Sequence, residues 1–125
     1  MPSLLLVMLG GAFGAGGRHL VGRATLAAFG PNYPWGTLAV NLIGGFAMGL
    51  LAGGLVRFGT AGEQWRLLLG VGVLGGFTTF SAFSLDLMLM LERGDWGVAL
   101  GYVLASVVGS LVALAIGLQL ARAMA

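Results

Sequence analysis

Cysteine and lysine are both absent from these 125 residues, and only 8% of the residues are charged. Without cysteine there is no disulfide and no thiolate metal site, and nothing points to a redox compartment. Without lysine, the basic residues are six arginines against four acids, for a net charge of +2. The arginines stand singly near the ends of apolar runs, so no basic patch of the kind that holds nucleic acid is present. Acids are nearly missing from the apolar runs too. Asp86 is the one carboxylate inside a run; the first, second and fourth runs hold none between their ends. A proton-driven transporter needs a membrane carboxylate that exchanges protons with its substrate, so this shortage argues against one. No cluster of metal ligands, no nucleophile with its base and no phosphate-binding loop is visible, which argues against an enzyme. His19 stands alone and reads as an interfacial side chain rather than a ligand.

What the chain has instead is apolar length. Its hydrophobic share is 58%, against roughly 45–50% in soluble domains. A soluble domain of this size has too little interior to hide that surface. A hydrocarbon core of about 30 Å takes runs of roughly 20 residues, and four runs occupy almost the whole chain. The expected spans are about 3–29, 36–56, 67–91 and 96–120, all in one domain covering 1–125. Gly30-Pro31-Asn32-Tyr33-Pro34 is a turn, 57–66 a loop and Glu92-Arg93-Gly94-Asp95 a short polar connection. The first run lacks a basic leader and a small-residue cleavage site, so it reads as a retained span. Tyr33 and Trp35 suit an interfacial aromatic belt.

Glycine is abundant, with 24 residues where average usage near 7% would give about nine. Spacing four recurs at Gly10 and Gly14, at Gly45, Gly49 and Gly53, and along Gly97, Gly101, Ala105, Gly109, Ala113 and Gly117. Small residues at that spacing let helix backbones approach closely in lipid, and packing is the main reading of these rows.

Charge is balanced across the expected membrane. Arg57, Arg66 and Arg122 fall on one side, and Arg18, Arg23 and Arg93 on the other. The positive-inside rule then has nothing to choose with, and insertion in both orientations becomes possible.

Polar side chains inside the runs are few and grouped. Asn41 lies early in the second run; its amide is either a functional donor or interhelical glue. The third run is interrupted by Gly75-Gly76-Phe77-Thr78-Thr79-Phe80-Ser81-Ala82-Phe83-Ser84. Such a stretch favours a helix break, and carbonyls freed in a membrane line a cavity or hold a cation. Phe77, Phe80 and Phe83 recur every three residues; their positive ring edges can face an anion, or the rings can simply pack. Tyr102, Ser106 and Ser110 share a face of the fourth run, as an ion-guiding hydroxyl ladder or as hydroxyls bonded to their own backbone. Hydroxyls, an amide, ring edges and buried backbone together suit a small anion that sheds its water.

Three stretches then resemble the signatures of the CrcB/Fluc fluoride channels. They are Gly10-Gly11-Ala12-Phe13-Gly14-Ala15-Gly16-Gly17-Arg18, Gly36-Thr37-Leu38-Ala39-Val40-Asn41-Leu42-Ile43-Gly44 and the glycine–phenylalanine–threonine stretch above. The resemblance covers the chain from end to end. It implies an all-α membrane protein with four transmembrane helices per subunit, the third broken at its centre, in an antiparallel dual-topology homodimer. It implies two fluoride pores at the dimer interface and residence in the cell inner membrane. Asn41 would donate to fluoride, Phe80 and Phe83 would line the pores, and Thr79, Ser81, Tyr102, Ser106 and Ser110 would be polar pore neighbours. Arg18 and Asp86 would sit at the vestibule. The backbone carbonyls of Gly75 and Thr78 would hold one structural, untransported sodium ion. Asp86 stands where many members carry glutamate, and Ala82 where many carry threonine. A small dual-topology multidrug exporter would want a glutamate in the first run, which has none. A non-transporting membrane scaffold is the other alternative, and it predicts no ion flux from the protein alone.

Overall fold

The computed structural model describes residues 2–124, and every regular element among them is helical. The first helix, α1, spans Ser3–Phe29 and α2 spans Trp35–Leu55. Between them Gly30 takes φ +80°, a left-handed conformation that a side chain resists, and its N–H caps the Leu26 carbonyl at 2.9 Å. Pro31 and Pro34 then block helix continuation. A single 3₁₀ stretch, Val56–Ala61, follows α2 and is kinked at Gly59 (φ +56°, ψ −129°).

The next helix, α3, runs over residues 62–77. It opens as Gly62–Trp65, widens to a π-helical turn over Arg66–Leu74 and closes as Gly75–Phe77. The expected loop 57–66 is thus shorter than the sequence suggested. Glu63 sits in the first turn of the helix and pairs with Arg66 at 2.6 Å, one turn on, and both effects favour early helix formation. Thr78 is extended (φ −82°, ψ 159°). Helix α4 starts at Ser81 and ends at Glu92, and α5 spans Trp96–Ala123. The break in the third run falls where the sequence placed it.

Three helical stretches are long and apolar enough to cross a membrane: Ser3–Phe29, Trp35–Glu92 and Trp96–Ala123. The middle one, 58 residues long, is the stretch kinked at Gly59 and interrupted at Thr78. Large apolar side chains face outward along the helices, such as Phe13, Leu20, Leu104 and Leu111. Water would not tolerate so much exposed apolar surface, whereas lipid does.

Two helix pairs form the body. Helices α2 and α5 pack along most of their length, and α1 packs on α3. Glycine sets both distances. A Cβ on Gly49 would collide with the Leu114 carbonyl, and one on Gly14 with the Val73 carbonyl. The long glycine row of α5 does not act as one row. Gly117 lies against the Phe46 backbone of α2, but Gly97 and Gly101 meet nothing within 4 Å. A straight helix drifts relative to a strict spacing-four line, so one neighbour cannot follow the whole row. Helix α4 leans on α5 through a cluster of Leu38, Phe83, Met90, Ala99 and Tyr102.

Candidate functional site

The break is held open by hydrogen bonds that replace helical ones. In an unbroken helix the Gly75 carbonyl would accept from the Thr79 N–H, and the Thr78 carbonyl from the Ala82 N–H. Instead, the Thr79 N–H donates to Asn41 Oδ1 at 2.8 Å. Asn41 Nδ2 donates back to the Thr79 carbonyl at 3.0 Å. The Ala82 N–H donates to Thr79 Oγ1 at 3.1 Å, which caps the start of α4. On the near side, the Thr78 N–H and its Oγ1–H both donate to the Leu74 carbonyl, at 3.0 and 2.9 Å. The carbonyls of Gly75 and Thr78, the pair the resemblance gives to sodium, are thereby left without their helical donors. Bare oxygen ligands suit a hard cation, so the residues at the break fit that group.

Asn41 faces an open cavity of about 380 Å³ beside the break, together with Thr78, Thr79, Phe80, Phe83, Ser106 and Ser110. The two phenylalanine rings lie 5.7 Å apart and tilted by 46°. Phe83 is buried, whereas Phe80 is 78% exposed on the surface of the single chain. Ser106 is buried and its Oγ has no hydrogen-bond partner. A buried hydroxyl without a partner is rare, because it forgoes a hydrogen bond that water would have supplied. One amide N–H of Asn41 is used on Thr79; the side chain carries a second.

A second cavity of similar volume, about 380 Å³, lies across the break and is lined by Arg18, Thr37, Thr79 and Asp86, with the turn residues Pro31, Tyr33 and Pro34. Thr79 borders both cavities. Arg18 Nε is buried there without a hydrogen-bond partner. Arg18 and Asp86, which the resemblance places at the vestibule, both line this cavity.

The hydroxyl ladder divides. Ser106 and Ser110 line the first cavity, but Tyr102 does not. Its ring is fully buried, and its hydroxyl donates to Asp86 Oδ2 at 3.1 Å. Tyr102 packs against Phe83 at 5.1 Å with the rings tilted by 43°, and meets Tyr33 edge-on at 5.6 Å. An aromatic chain therefore runs from Phe80 at the break to the Gly30–Trp35 turn. Ser81 is exposed, with its Oγ 3.4 Å from Thr79 Oγ1, and lies outside the first cavity's lining. His19 is exposed, and no group of three or more His, Cys, Asp or Glu residues gathers as a metal site among the described residues. Sequence reading missed Thr37 and the turn residues of the second cavity. It also missed the partners of Asn41 and Asp86, which lie 38 and 16 residues away along the chain. No local pattern encodes such pairings.

A model of the family described as "CrcB-like protein, Camphor Resistance (CrcB)" matches residues 5–118. The chain is 60% identical over 122 residues to a protein of Sphingopyxis alaskensis named fluoride-specific ion channel FluC, covering 98% of this chain and 97% of that one. Proteins of the same name in Chelativorans sp. and Phenylobacterium zucineum are 59% and 58% identical, each with at least 97% of both chains covered.

Proposed function

Since the chain belongs to the CrcB-like family, we propose that it is a passive fluoride-selective channel that lets fluoride leave the cell. The channel names of its relatives support the ion, and the apolar helices support the membrane. It is a channel protein and not an enzyme. The observation that carries the mechanism is the first cavity, where one amide, two serines of α5 and two aromatic rings meet a broken helix.

Fluoride must lose water to pass, and these groups replace it. Asn41 offers its second N–H. Ser106 and Ser110 offer hydroxyl donors farther along α5, and Phe80 and Phe83 present ring edges, whose partial positive charge attracts an anion. Thr79 and Ser81 stand at the mouth of the break, and Tyr102 supports the aromatic wall from behind. Arg18 draws anions into the second cavity, where Asp86 also lies. The carbonyls of Gly75 and Thr78 would hold a structural sodium ion, whose fixed positive charge would lower the cost of a nearby anion.

The chain makes four passes: α1, α2, the broken pair α3 and α4, and α5. Phe80, exposed on one chain, is covered by a second copy. That copy is inverted, as the balanced arginines allow, and the antiparallel homodimer holds two pores and one sodium ion in the inner membrane. The membrane potential, negative inside, drives the anion out at about 2.3 kcal/mol per charge per 100 mV, so no coupling machinery is needed.

The test is anion efflux from liposomes that contain only this protein. Rapid fluoride efflux with little chloride efflux is the expected result, with or without a pH gradient. Folded, dimeric protein that passes neither ion would overturn the channel reading in favour of a scaffold.

A further inference from the structure

We infer that Asn41 positions the cation cradle as well as facing the anion path, so that a single side chain ties the two together. The inference rests on the reading of Gly75 and Thr78 as sodium ligands.

Two amides would silence these carbonyls if the helix were continuous: the N–H of Thr79 for Gly75 and the N–H of Ala82 for Thr78. Both are diverted by side-chain oxygens. Asn41 Oδ1 takes the first at 2.8 Å, and Thr79 Oγ1 takes the second at 3.1 Å. The return bond from Asn41 Nδ2 to the Thr79 carbonyl, 3.0 Å, makes the first diversion a two-point clamp. Asn41 thus stands in for the helix's own acceptor and keeps the extended residue Thr78 from closing into a turn. The clamp also fixes which way the amide points. With Oδ1 committed to an N–H, the group facing the cavity is a donor, which suits an anion and repels a cation.

Remove Oδ1 and the Thr79 N–H has no partner in a medium of low dielectric, where an orphan amide is costly. It returns to the Gly75 carbonyl, and the cradle loses an oxygen. Removal of Thr79 Oγ1 does the same to Thr78 through Ala82. Groups one step behind a metal ligand characteristically change metal affinity by about 10–100-fold when lost.

The substitutions separate the two roles. Asn41→Asp keeps an oxygen that accepts from Thr79 but has no N–H for an anion. Asn41→Ala loses both. Thr79→Val loses the Ala82 acceptor at nearly constant shape, and Thr79→Ser keeps it. The measurement is the thermal midpoint of the purified full-length protein in fluoride-free buffer, with sodium exchanged for N-methylglucamine at constant ionic strength. Binding to the folded state alone raises the midpoint with sodium concentration. The expected result is apparent sodium affinity weaker by about tenfold or more in Asn41→Ala and Thr79→Val. Thr79→Ser stays near the unsubstituted protein, and Asn41→Asp, which keeps the acceptor for Thr79 but loses the return bond, holds sodium more tightly than Asn41→Ala, although it passes no fluoride. Unchanged sodium dependence in both Asn41→Ala and Thr79→Val overturns the inference and leaves the sodium site standing. A parent protein whose midpoint ignores sodium overturns the sodium reading itself, and the inference with it.

Discussion

Tyr102 and Asp86 show how a single contact reassigns a residue. On the helix face Tyr102 aligns with Ser106 and Ser110, yet its one hydroxyl proton is committed to Asp86 at 3.1 Å. The pair ties α4 to α5 directly behind Phe83. Tyr102→Phe and Asp86→Ala should therefore each lower fluoride flux by moving the Phe83 ring, and the double variant should be no worse than either single one. Non-additivity of this kind marks residues that act as one unit. Asp86→Asn, which keeps an acceptor for the tyrosine, should lose less flux than Asp86→Ala. Equal loss in the two Asp86 variants with normal flux in Tyr102→Phe would mean that the charge matters and the contact does not. Ser106 makes the opposite case. Its hydroxyl is buried with no protein partner, and such an orphan costs about 1–3 kcal/mol. Ser106→Ala should leave the melting temperature equal or higher while fluoride efflux slows. A fall in both would show that the hydroxyl has a structural partner.

At the scale of elements, glycine spacing announced close packing but not which glycines take part. Gly49 has a carbonyl of α5 where its side chain would be, whereas Gly101 has open space within its own chain. Gly49→Ala should destabilise the α2–α5 pair by about 1–3 kcal/mol, the usual cost of overpacking. Gly101→Ala should leave the packing of its own chain intact. Thermal melts of the two variants compare them directly, and equal midpoints would contradict the packing described. The break was legible in the sequence because Gly75-Gly76 next to Thr78-Thr79 is poor helix material inside an apolar run. Its geometry was not, because the atoms that hold it open come from another helix. The early start of α3 was misjudged because glycines read as a loop; Glu63 in the first turn and its pair with Arg66, 2.6 Å apart, are local signals that favour the helix there.

At the scale of the whole molecule, the balance of arginines leaves orientation undecided, and the proposed pores need both orientations. Thr60→Lys with Gln64→Lys adds positive charge to one side; Asn32→Lys with Glu92→Lys adds it to the other. Each double variant made alone should insert one way and pass little fluoride, and co-expression of the two should restore efflux. Full activity from either variant alone would rule out the antiparallel arrangement. The sequence by itself determined that the chain is apolar enough to live in lipid, roughly where its helices run, that the third run breaks, and which rare polar side chains lie inside the apolar runs. Those properties follow from composition and local spacing, which act within a turn or two of helix. Only the tertiary structure decided that Asn41 grips Thr79, that Tyr102 turns from the cavity to Asp86, and that Thr79 borders two cavities at once. Each joins residues far apart in the chain, and a hydrogen bond of about 3 Å depends on how helices meet, which no single helix encodes.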